Sequence, residues 1–145
     1  MRYYHRFRVR APLARVTEFH SCAGSMTAIT PPPIFIRMKS APNTLREGDE
    51  MDFTMWIGPL PVRWLARIEG TSAAGFTDRQ LRGPFAEWVH HHRFTAVDAQ
   101  TTEINDEITL RLRSHPIWWL VGFGMRAGLP ILFAYRAWKT RRLLQ

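Results

Sequence analysis

The 145-residue chain holds one cysteine, Cys22. A single thiol excludes an intramolecular disulfide and fits a reducing cytoplasm. No base stands beside it in sequence, so Cys22 reads as a small packed residue rather than a nucleophile. Acidic residues are few: 12 Asp and Glu against 20 Lys and Arg, a net charge of +8. That balance raises nucleic acid or an anionic membrane surface as partners. No zinc-finger, RNP-type or helix-turn-helix pattern accompanies the charge, and most of the positives are scattered, so the reading carries no nucleic-acid partner. The basic start, with Arg2, Arg6, Arg8 and Arg10, has no apolar run behind it and is not expected to be a signal peptide. Internal repeats and low-complexity segments are absent. Gly122, Gly124 and Gly128 have the wrong spacing for a phosphate loop, and no βαβ unit precedes them.

What is present is organised around Gly83-Pro84-Phe85-Ala86-Glu87-Trp88-Val89-His90-His91-His92-Arg93-Phe94. Gly83-Pro84 marks a turn. After it Ala86, Trp88, His90, His92 and Phe94 share one parity, and Glu87, His91 and Arg93 the other. This period of two predicts a strand with a wet face and an aromatic, histidine-bearing face. Residues 75 to 80 form its hairpin partner, and residues 102 to 112 pair on its other side. Upstream, alternation predicts strands over residues 2–10, 34–38, 51–57 and 62–68. Helical spacing of Leu13, Val16, Phe19 and His20 predicts a short helix after Pro12. A second short helix runs from a Ser25 cap to Ile29 and is stopped by Pro31-Pro32-Pro33. The length suits one domain, residues 1–145, with room for a core or one ligand cavity.

The pattern Phe76-x-Asp78-x-Gln80, then Gly83-Pro84-Phe85-x-x-Trp88-x-His90-x-His92-x-Phe94, then Thr102-x-x-x-Asp106 resembles a bacterial branch of the START-like superfamily, also called SRPBCC or polyketide cyclase/dehydrase-like proteins. Thr30-Pro31-Pro32, Arg46-Glu47-Gly48, Pro61-x-x-Trp64 and Phe133-x-Tyr135-Arg136 extend the resemblance over nearly the whole chain. The resemblance implies an α+β helix-grip fold. In it, a curved antiparallel sheet of about seven strands wraps a long C-terminal helix, with two short helices after the first strand. It also implies a cavity between sheet and helix, and neither metal nor cofactor. The superfamily's activities are diverse, so the fold transfers better than the function.

Parity selects the polar groups that face such a cavity: His90 and His92, Asp78 and Gln80 in phase with Phe76, and Thr102 and Asp106 in phase with Ile104 and Ile108. A three-residue loop at Val97–Ala99 sets His90 opposite Asp106; a shift of two sets His92 there. Either register makes a histidine and an aspartate cross-strand neighbours. The pair reads either as general acid and base, with His90, His92 and Asp106 as the catalytic candidates, or as a self-satisfied polar network. Two histidines with Asp106 also have the count of a three-ligand zinc site, though His91 points the other way. Trp64, Trp88, Phe94, Phe53 and Met55 complete the expected ligand-binding wall. Arg136 is a candidate partner for Asp106.

Residues 117 to 138 form an apolar run about as long as a membrane span. Arg126, Arg136, three glycines and Pro130 argue against crossing, and the resemblance makes this segment a linker followed by the gripped helix. Trp118-Trp119 keeps contact with a membrane surface or partner open. The leading expectation is a cytoplasmic carrier or sensor that binds a hydrophobic or amphipathic small molecule (lipid, polyketide or isoprenoid-like). A cyclase or dehydratase-type enzyme is the alternative, and a docking protein using Trp118-Trp119 and the basic C-terminus the third. A homodimer is left open.

Overall fold

A computed structural model describes all of residues 1–145. β1 spans Arg2–Val9, followed by α1 (Leu13–Ser21) and α2 (Ala23–Ala28). Six strands come next: β2 (Ile34–Ser40), β3 (Glu50–Ile57), β4 (Leu60–Ser72), β5 (Gly75–Arg82), β6 (Phe85–Asp98) and β7 (Thr101–Leu112). The chain closes with α3 (Pro116–Leu144), 29 residues long. The strands form one antiparallel sheet in the order β1-β7-β6-β5-β4-β3-β2. Each strand from β2 to β6 pairs with the next in sequence, and β1 closes the β7 edge.

Alternation decides the buried face. Met51 and Phe53 on β3, Val62, Trp64, Ala66 and Ile68 on β4, and Ile104, Ile108 and Leu110 on β7 are all buried. The sheet therefore needs a cover on that face, and α1, α2 and the second half of α3 supply it. Leu129, Phe133, Ala137, Thr140 and Leu144 of α3 are buried at helical spacing. The core divides into two clusters. The larger includes Phe53, Trp64, Phe85, Trp88 and Phe133. The smaller joins Phe7, Val9, Val16, Phe94, Ile104 and Ala137, and Phe76 packs against both.

Four local expectations are corrected. Ser25 does not cap α2: Cys22 holds that position, and Ser25 Oγ donates instead to the Phe19 carbonyl near the end of α1. Cys22 is exposed rather than packed, because it lies at the junction of α1 and α2, in an isolated bridge to Thr44. β6 runs on to Asp98 through a bulge after Ala96, so the β6–β7 turn is Ala99-Gln100 and not Val97–Ala99. Finally, no linker precedes the gripped helix. α3 is continuous from Pro116, with Pro130 inside it. Pro130 lacks the N–H that would bond the Arg126 carbonyl, and tertiary packing of the following turns carries the helix through.

Candidate functional site

Between the sheet and α3 lies a cavity of about 400 Å³, lined by 31 residues of which 22 are hydrophobic. Phe53, Met55, Trp64, Ala66 and Trp88 form its sheet wall. Met26 and Ile29 of α2 and Leu129, Leu132 and Phe133 of α3 close the other side. Leu60 in the β3–β4 hairpin and Leu120 of α3 line it and are exposed, so they flank its mouth. Met51, Met55 and Met125 contribute deformable lining.

The polar groups collect at one place. β5, β6 and β7 are adjacent strands, so their inward side chains stand side by side. In register, His90 faces Asp78 and His92 faces Asp106; this is the shifted of the two registers that parity allowed. The side chains then bond diagonally. His90 Nε2 is 2.9 Å from Asp106 Oδ1, and His92 Nε2 is 2.7 Å from Asp78 Oδ2. The remaining ring nitrogens complete the square: His92 Nδ1 lies 3.2 Å from Asp106 Oδ1 and His90 Nδ1 lies 3.4 Å from Asp78 Oδ2. The imidazoles overlap, with centroids 3.7 Å apart, and His92 stacks on Phe76 at 4.4 Å. Asp106 lies behind the histidines, whereas Asp78 lines the cavity and keeps a side chain 21% exposed.

Burial and charge sort the protonation states. Burial disfavours a charged His92, but hydrogen bonds to Asp106 and Asp78 outweigh this and push its pKa up to about 9. Burial and the neighbouring His92 charge push His90 down, so one proton is held on His92. For both carboxyls burial is the largest influence and acts upward. The histidines overcome it and hold Asp78 and Asp106 below the usual carboxylate range. His20 of α1, which also lines the cavity, is pushed down to about 4 by burial.

Not every residue selected by parity reaches the cavity. Trp64, Trp88, Phe53, Met55, Asp78, His90 and His92 line it, whereas Gln80, Phe94, Thr102 and Asp106 do not. Gln80 instead clamps the β5–β6 hairpin: its Nε2 donates to the Phe85 carbonyl (2.9 Å), and the Phe85 N–H donates to its Oε1 (3.2 Å). Thr102 Oγ1 donates to the Ala11 carbonyl at 2.8 Å, tying β7 to the end of β1. Phe94 is buried in the smaller cluster against His20, with ring centroids 4.8 Å apart. Arg136 makes no ion pair with Asp106, whose oxygen is taken by the two histidines. It lines the cavity with its Nε buried and unpartnered and its guanidinium 5.3 Å from the Phe133 ring. Parity along strands could not reveal His20 and Met26, which reach the wall from helices; the helical spacing that includes His20 was the one available signal.

No protein-family model and no curated protein matches the chain. Solved structures do. Protein CV1439 from Chromobacterium violaceum superposes with a TM-score of 0.77 at 7% identity, covering 99% of this chain and 97% of that one. The Zhui aromatase/cyclase from Streptomyces sp. R1128 gives 0.68 at 16% identity, covering 99% and 95%. Ara h 8.0201 gives 0.63 at 13% identity, covering 97% of each. The chain has the helix-grip fold. It shares with these structures a curved sheet closed around a C-terminal helix. Identities this low carry the fold alone.

Proposed function

We propose that this protein binds one hydrophobic or amphipathic small molecule in the cavity between sheet and α3, as a carrier or sensor. The observation that supports it is the cavity itself: about 400 Å³ of mostly apolar wall with its titratable groups gathered at one spot. That is the composition of a small-molecule site, where apolar burial drives binding and a few polar groups orient the ligand. The ligand's apolar body lies against Trp64, Trp88, Phe53 and Met55, and its polar end meets Asp78, His90 and His92. Titration with the fluorescent amphiphile 1-anilinonaphthalene-8-sulfonate tests this. One saturable site is expected, abolished when Ala66→Phe fills the wall and only shifted in affinity by His90→Ala with His92→Ala. Non-saturating fluorescence, or a signal indifferent to Ala66→Phe, contradicts it.

A second reading, a cyclase or dehydratase-type enzyme, draws on the histidine–carboxylate square. His92 holds a proton while neutral His90, which donates from Nε2 to Asp106 at 2.9 Å, keeps its lone pair on Nδ1, so an acid and a base stand side by side at the cavity. Under this reading the double histidine variant abolishes turnover of a polyketide-like substrate rather than shifting its affinity.

The first half of α3 supports a further element, peripheral contact with a membrane. Ile117, Trp118, Trp119, Leu120 and Phe123 are exposed next to the cavity mouth, and α3 is long and apolar enough to cross a membrane with only 17% of its most apolar window buried. Tryptophan at such a position suits a membrane–water interface. The gripped second half and Arg126 and Arg136 favour lying on the surface over crossing it.

A further inference from the structure

We propose that His90, His92 and Asp78 form a divalent metal site, with Asp106 as the carboxylate that orients both histidines and the open coordination position facing the cavity. The inference rests on which nitrogen faces which oxygen. Asp106 Oδ1 receives His90 Nε2 at 2.9 Å and His92 Nδ1 at 3.2 Å. With Asp106 holding the protons on those two nitrogens, His90 Nδ1 keeps a lone pair, and a metal ion gains the second on His92 Nε2 by displacing the proton it shares with Asp78. These are the two atoms that converge on Asp78 Oδ2, at 3.4 and 2.7 Å. One donor atom from each of Asp78, His90 and His92 thus lies within 4.8 Å of the others, a separation one ion can bridge with ligand bonds of about 2.0–2.2 Å.

The surroundings suit an ion. A ligating histidine ordinarily donates its other ring N–H to a carboxylate, which fixes the tautomer and raises its basicity; here one buried aspartate serves both rings. Asp78 and Asp106 together match the charge of a divalent cation. The donors sit on adjacent strands, β5 and β6, rather than on loops, and Phe76 stacks on His92 to hold the ring plane. Asp78, His90 and His92 all line the cavity, so water or a ligand oxygen completes the shell. Two imidazoles and one carboxylate suit zinc and its first-row neighbours rather than calcium or magnesium. The sequence counts Asp106 toward zinc; Asp78 takes that role instead, because Asp106 meets the opposite ring nitrogens of both histidines.

The test uses the full chain, stripped with a chelator and titrated with Zn²⁺ by calorimetry and with Co²⁺ by visible absorption. The expected result is one ion per chain and the intense bands of four- or five-coordinate cobalt. Asp78→Asn and His92→Asn should each weaken binding at least a hundredfold. Asp106→Asn should keep one site with affinity about 10–100-fold lower, and His91→Asn, on the outer face, should change nothing. Should a site variant fail to fold, the wild-type cobalt spectrum decides alone. No stoichiometric binding, a purely octahedral cobalt spectrum, or equal loss with His91→Asn overturns the proposal. Saturation of the cavity by an amphiphile is read separately, so failure of the metal site leaves the ligand-binding reading standing.

Discussion

His92 stands directly across from Asp106 in the β6–β7 register, yet Asp106 takes its shortest hydrogen bond, 2.9 Å, from His90. The diagonal leaves His92 shared between two carboxylates, at 2.7 Å from Asp78 and 3.2 Å from Asp106. Burial alone pushes a histidine toward its neutral form. Two carboxylates reverse that outcome here.

The pH dependence of stability in the metal-free protein follows from this arrangement. His92 is raised to about 9, so its contribution is complete below the unfolded value near 6.5 and is lost as pH rises through 9. The gap corresponds to roughly 3 kcal/mol. His90, and His20 at about 4, are depressed, so stability falls as pH drops from 6.5 toward 4. The depressed Asp78 and Asp106 add a further loss at still lower pH. Arg136 faces the same groups from α3, where burial pushes its pKa down against the pull of Asp106 and Asp78. Thermal melts should therefore peak near pH 6.5, and His92→Gln should flatten the alkaline limb. An NMR titration that finds His92 neutral at pH 7.5 contradicts the assignment.

Gln80 separates structural from ligand-binding roles. Its amide makes two hydrogen bonds to the Phe85 backbone, and Gly83 packs so close that a Cβ there would clash with Gln80 Oε1. Gln80→Ala should cost about 1–3 kcal/mol by leaving those backbone groups unpaired, while cavity affinity stays within twofold. Denaturant melts and amphiphile titration of the same sample check both. A large affinity loss without destabilisation would place Gln80 in the site after all.

Three glycines in the first half of α3 behave differently. A Cβ added at Gly124 or Gly128 meets nothing within 4 Å, so Gly124→Ala and Gly128→Ala should each stabilise by about 0.5–1 kcal/mol through helix propensity. A Cβ at Gly122 meets Leu112 Cδ2 at 3.0 Å and Phe85 Cε1 at 3.3 Å. Gly122→Ala should gain less or lose stability, as the helix is pushed from the sheet. Equal gains at all three positions would mean α3 does not rest on Phe85.

Surface contact with membranes is tested by sedimentation with anionic and zwitterionic vesicles. Binding to the anionic vesicles is expected, falling as salt rises, and Trp118→Asp with Trp119→Asp should remove it. Indifference to anionic vesicles at low salt ends this reading.

The sheet was legible because one face is buried and the other wet, which writes a period of two into every strand from Phe7 to Leu110. Parity also brought Asp78, His90, His92 and Asp106 to one face. It left the register between two choices, since a shift of two preserves parity, and the diagonal bonding lies beyond it. Gln80 and Thr102 share the inward phase but sit at strand ends, where side chains meet backbone rather than cavity. α3 was the least legible element. The family resemblance implies a linker here, yet once Leu129 to Leu144 are packed, continuing the helix toward Pro116 needs no further nucleation.

The central claim is an occupied-or-occupiable cavity, and native mass spectrometry of freshly purified protein addresses it most directly. The account predicts a non-covalent adduct of one small amphiphile per chain, recoverable by organic extraction and lost in Ala66→Phe. A clean unliganded mass that does not change on adding 1-anilinonaphthalene-8-sulfonate, with wild type and Ala66→Phe alike, would contradict it.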